Sequence, residues 1–149
     1  MKKILNRKGF TLVEVLLVVV IIAILAAIVI IAINPARQIA QANNTQRSSD
    51  VQAVINAVHQ SAIDNRGTLP TEITVTATVI GSAVGQIDIC TILVPTYMAA
   101  MPFDPTSTGA GYTDCTNYNT GYTILKTAEG RVTVSAPSAE LSKTISVTR

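Results

Sequence analysis

Tryptophan is absent from this 149-residue chain, histidine occurs once, at His59, and cysteine occurs twice, at Cys90 and Cys115. Two sulfurs and one imidazole do not make a metal site, so no metal ion and no cofactor is expected. The same poverty leaves no identifiable nucleophile–base arrangement, which argues against an enzyme. Charged residues are 13% of the chain and the net charge is only +2, which excludes a strongly basic nucleic-acid binder. A hydrophobic content of 48% excludes a disordered chain. The length suits one modest domain rather than two.

What the chain has in excess is one apolar run. Val15 to Ile33 are nineteen uninterrupted apolar residues. As a helix they span roughly 28 Å, close to the thickness of a bilayer core. Lys2, Lys3, Arg7 and Lys8 precede the run, with no acid before Phe10. Basic residues ahead of an apolar span hold that end in the cytoplasm and place the rest across the membrane. A cleaved secretory signal is the competing explanation, but its apolar region is shorter and ends at a small-residue site. Here Ala26-Ala27 is followed by more Ile and Val. Glu14, at the edge of the run, is either an interfacial carboxylate or the partner of a cation on another subunit.

The segment Arg7-Lys8-Gly9-Phe10-Thr11-Leu12-Val13-Glu14 resembles the processing motif of type IV pilins and of the pseudopilins of type II secretion systems. The resemblance implies cleavage by a prepilin peptidase between Gly9 and Phe10, and N-methylation of the new terminus at Phe10. It also implies a role for Phe10 and Glu14 in assembly, the carboxylate of one subunit meeting the amine of its neighbour. Such a buried pair is better understood as register control than as net stabilisation. Loss of the leader removes four of the eleven basic residues, leaving seven against nine acids and a side-chain charge of −2. The apparent basicity is therefore a targeting feature.

Asn34-Pro35 interrupts the run, because proline removes a helical hydrogen bond and clashes with the preceding turn. Val51, Val54, Ile55, Val58 and Ala62 recur on one helical face, so Asp50 to Asn65 is expected to be helical. Gly67 and Pro70 supply the stop. The expectation is one helix from about Thr11 to Asn65, bent or locally melted near Pro35, with Ala42 to Ser49 its weakest stretch. Alternation over Ile73–Val79 predicts a half-buried strand. Asp88 to Val94 is expected to be a short helix or an irregular crossing. Tyr122–Lys126 and Arg131–Ala136 are expected to be strands joined by a turn at Ala128-Glu129-Gly130, with a last strand at Thr144–Thr148. The fold class is α+β: a long N-terminal helix, membrane-spanning in its first half, packed against a small C-terminal antiparallel sheet. Its parts are a leader at 1–9, a membrane and filament-core helix at 10–33, an amphipathic continuation at 34–67 and a globular head at 68–149.

Met101-Pro102-Phe103-Asp104-Pro105 is similar to the Pro-x-Asp-Pro step before the C-terminal sheet of many pseudopilins and short pilins, with Thr106-Ser107 in place of their Trp-Gly. Asp104, Asp114 and Glu129 are available oxygens but lack calcium-loop spacing. In an exported head Cys90 and Cys115 are either disulfide-bonded or two buried thiols; the oxidising compartment favours the bond. His59 is expected to be solvated or to face another subunit.

The family resemblance implies self-association into a helical filament, with the membrane, a prepilin peptidase and an inner-membrane assembly platform as partners. The expected location is the inner membrane as a single-pass protein before assembly, then an extracellular pilus or a periplasmic pseudopilus. A pilus subunit is favoured over a pseudopilin of a type II secretion system or competence pseudopilus. No nucleic-acid partner is expected, since the head carries Lys126, Arg131, Lys143 and Arg149 against six acids.

Overall fold

The computed structural model describes residues 9–149. The leader cations Lys2, Lys3, Arg7 and Lys8 lie outside the described residues. The chain divides into two compact units between Gln38 and Ile39.

Helix α1, Leu12–Ile33, starts at Thr11, whose extended backbone makes it the N-cap, and buries none of its side chains. Apart from Glu14 every residue in it is apolar. It is long and apolar enough to cross a membrane. An apolar helix left wholly uncovered by its own chain needs lipid or other subunits around it.

Helix α2 runs Pro35–Asp64. The interruption expected near Pro35 falls on Asn34, whose φ of 47° lies in the left-handed region. Asparagine tolerates that conformation better than most residues. Its Oδ1 accepts from the Arg37 N–H at 3.3 Å, and Pro35 takes the first helical position, where its missing N–H costs nothing. Val51, Val54, Ile55, Val58 and Ala62 are all buried, as their spacing predicts. The helix ends when the Gly67 N–H reaches back to the Ala62 carbonyl at 2.7 Å, with Gly67 at φ 85°.

The head holds a five-stranded antiparallel sheet: β1 Thr78–Gly81, β2 Gly111–Asp114, β3 Asn117–Lys126, β4 Val132–Ser135 and β5 Ser146–Thr148. Its order is β1-β3-β4-β5, and β2 pairs with the first part of β3. Strand β3 is the spine, with Val79 opposite Thr123 on one side and Val134 opposite Ile124 on the other. Its inward residues Tyr118, Tyr122 and Ile124 share one core with Val132 and Val134 of β4 and with the apolar face of α2. A single-turn helix α3, Cys90–Leu93, closes one flank of that core.

Two expectations need correction. The strand expected at Ile73–Val79 begins only at Thr78. The Thr74 and Thr78 hydroxyls both donate to the Thr76 carbonyl, while the Thr74 carbonyl accepts an isolated bond from the Lys126 N–H at 2.8 Å, so the segment touches the end of β3 without forming a regular ladder before Thr78. The strand expected at Tyr122–Lys126 starts five residues earlier, at Asn117, and its partner β2 was not anticipated at all.

Candidate functional site

At the start of α1 the sequence motif becomes a small structured element. Glu14 occupies the third helical position after the Thr11 cap, and together they form a capping box. The Thr11 N–H and the Thr11 hydroxyl each donate to Glu14 Oε2 at 2.8 Å, and the Glu14 N–H donates back to Thr11 Oγ1 at 3.3 Å. Gly9 and Phe10 therefore stand outside the helix, and Phe10 is 88% exposed. A Cβ at Gly9 would meet nothing within 4 Å. The Gly9–Phe10 peptide thus lies beside, not within, the regular hydrogen-bonded helix.

In the head, Cys90 and Cys115 form a disulfide with Cα atoms 5.3 Å apart. Cys90 opens α3, while Cys115 sits in the turn joining β2 to β3. The bond staples that turn to the flank of the core. Replacing both cysteines with serine should lower head stability by roughly 2–5 kcal/mol. The check is the urea midpoint of the full chain in micelles, with and without reductant. An unchanged midpoint would show that the staple carries no stability.

Sequence reasoning missed the polar centre of the head. Arg47 on α2 is completely buried and Asp104 is 2% exposed. Arg47 Nε donates to Asp104 Oδ2 at 2.7 Å and Nη2 to Asp104 Oδ1 at 3.1 Å, a bidentate pair. Its Nη1 donates to Asn44 Oδ1 at 3.0 Å and to Glu140 Oε2 at 2.8 Å. Burial pushes the Asp104 carboxyl up, but the Arg47 guanidinium and the Thr106 and Ser107 N–H groups outweigh it and hold it below the usual range. Beside them Tyr122 donates to Asp50 Oδ2 at 2.7 Å; burial raises both the Asp50 carboxyl and the Tyr122 phenol. A signal was available: Arg47 lies one turn before Val51 and Asn44 nearly one turn before that, on the same buried stripe.

The three carboxylates noted as available oxygens have separate duties. Asp104 is committed to Arg47. Asp114 accepts from Thr116 and Asn117 across the β2–β3 turn, and Glu129 stands exposed in the β3–β4 turn. Among the described residues no group of three His, Cys, Asp or Glu side chains could hold a metal ion. His59 is not simply solvated: its Nε2 is buried and has no hydrogen-bond partner among the described residues.

An unburied apolar helix opened by a Thr11–Glu14 capping box and followed by a disulfide-stapled α+β head suggests a protein anchored in a membrane by its N-terminal helix. Residues 4–33 match the family model of the prokaryotic N-terminal methylation motif. That motif is the signature of prepilins and pseudopilins, and it supports a type IV pilin-like or pseudopilin protein anchored in a membrane before assembly. Processing by a prepilin peptidase and assembly into a filament are what the motif implies in general. No curated protein and no solved structure matches the chain.

Proposed function

We propose that this chain is a structural subunit of a type IV pilus filament, cut between Gly9 and Phe10, N-methylated at Phe10 and assembled through α1. The observation that carries the proposal is the coincidence of three features at one end of the chain. The methylation motif at 4–33 runs into a 22-residue apolar helix with no buried side chain, and the Gly9–Phe10 junction precedes that helix in exposed backbone. A helix so bare is stable only in lipid or among other copies of itself. The pseudopilin alternative shares all three features.

Intact-mass measurement on protein from sheared surface filaments tests the proposal. The expected species begins at Phe10, carries one added methyl group, and is abundant in the filaments. A retained leader, or cleavage near Ala26-Ala27, would sink the processing assignment. Correct processing with the protein confined to the cell envelope would move it to the pseudopilins.

A further inference from the structure

The head carries a cleft of about 550 Å³ between the loop after β1 and the β2–β3 hairpin. No residue lining it is charged. The chain has only two phenylalanines and four tyrosines, yet Phe103, Tyr112 and Tyr118 all line this cleft. Tyr118, only 4% exposed, backs the cleft with its ring, while its hydroxyl donates to Asp88 Oδ1 at 2.8 Å and accepts from the Ile89 and Cys90 N–H groups. Tyr112 packs edge-on against that ring, with centroids 6.3 Å apart. Phe103 is left 42% exposed.

The polar side chains among them are the carboxamides of Gln86, Asn117 and Asn119 and the hydroxyls of Ser82 and Thr113. Gln86 Oε1 accepts from the Ala83 N–H at 3.1 Å and Asn119 Oδ1 from the Gly121 N–H at 2.9 Å. These bonds fix both side chains by their oxygens and leave each NH₂ to donate. The Asn117 carboxamide makes no hydrogen bond among the described residues. Gly109, Ala110 and Gly111 form one stretch of the wall, and a Cβ at either glycine would meet nothing within 4 Å. The Cys90–Cys115 bond anchors the hairpin that carries Tyr112 and Asn117, so the wall is held in place before any ligand arrives.

Such a lining selects by chemistry. An anionic ligand would find no Arg or Lys, and a cationic one no carboxylate. A wholly apolar ligand would leave the amides unpaired. An uncharged ring with a C–H face and vicinal hydroxyls satisfies both the aromatic and the amide groups. We propose that this cleft binds a neutral saccharide unit of a glycan, making the head a recognition surface in addition to whatever α1 assembles.

Saturation-transfer NMR on the full-length chain, in micelles of a detergent without a sugar headgroup, tests this with galactose, lactose, N-acetyllactosamine, cellotriose and chitotriose as probes. At least one should receive saturation on its ring protons. Gly111→Leu, which fills the cleft, and Asn117→Ala, which removes an exposed amide, should each weaken the response roughly tenfold with the urea midpoint unchanged. Asn117→Ala keeps the test decisive if Gly111→Leu disturbs folding. Silence from every probe, or a response that Asn117→Ala leaves intact, overturns the proposal. So does a response from the isolated subunit that vanishes in sheared filaments, because the cleft would then be covered by a neighbouring copy.

Discussion

Replacing Arg47 with methionine should destabilise the head by roughly 3–5 kcal/mol, although methionine is the more apolar residue and the site is fully buried. The loss comes from what is left behind. Asp104 would keep a buried carboxylate without its bidentate partner, and Asn44 Oδ1 would lose one of its two donors. Removing both charges in Arg47→Met with Asp104→Leu should recover part of the loss, since a matched apolar replacement of a buried pair is often tolerated. Glu140 contributes less, because its side chain is 35% exposed and its attraction to Arg47 is screened. Urea unfolding of the full chain in micelles reads these differences directly. A loss below about 1 kcal/mol for Arg47→Met would mean that the pair is worth no more than a surface salt bridge.

The same pair predicts a direction with pH. The folded Asp104 carboxyl is held below its ordinary value, so its contribution is complete above the unfolded pKa of about 3.9. It is lost as the pH falls through the lower, folded value. In Arg47→Met the buried Asp104 carboxyl loses its cation, and burial raises it. The gap between wild type and Arg47→Met should therefore be full where both proteins keep it ionised, narrow as the pH falls through the variant's raised value and close below the wild type's lowered one. A gap that did not narrow on acidification would assign the effect to a different group.

Elements whose side chains obey a simple period were legible in the sequence. Val51, Val54, Ile55 and Val58 mark the buried face of α2, and Gly130, at φ 81°, marks the β3–β4 turn. Two strands misled in opposite directions. Thr74, Thr76 and Thr78 alternate with apolar residues, but local hydroxyl bonds to the Thr76 carbonyl accompany an irregular segment whose one bond to β3 before Thr78 is that from the Lys126 N–H to the Thr74 carbonyl. Asn117 to Gly121 has the composition of a loop, with Asn, Thr and a glycine at φ 71°, yet forms the first half of β3. What holds it there is tertiary. The disulfide pins the preceding turn, β2 pairs alongside, and Tyr118 and Thr120 point into the core. Arg47 was hidden for another reason. A charged residue on an apolar stripe is normally taken as a boundary of burial, and only its distant partners Asp104 and Glu140 make it an interior residue. At the N-terminus, the resemblance to the prepilin motif is what points to Gly9, Phe10 and Glu14. The capping box was not anticipated, although Thr11 and Glu14 have the spacing for one.

That capping box changes what a substitution at Glu14 can reveal. Glu14→Ala should leave membrane insertion intact, because the span becomes more apolar. Leader cleavage should also persist, because Gly9 and the residues before it are untouched. Filament yield should fall roughly tenfold or more, because the Phe10 amine of an incoming subunit would enter an apolar core unpaired. Alanine, however, removes two things at once: the negative charge and the bonds that Glu14 makes to the Thr11 N–H and hydroxyl. Glu14→Gln separates them. Glutamine serves at the third position of a capping box, so the start of α1 should survive, while the charge needed to meet a neighbour's amine is gone. If pairing governs assembly, both variants should be processed normally in membranes and both should be depleted from sheared filaments. If Glu14→Gln assembles like wild type while Glu14→Ala does not, Glu14 acts by capping its own helix, and the intersubunit pairing is wrong.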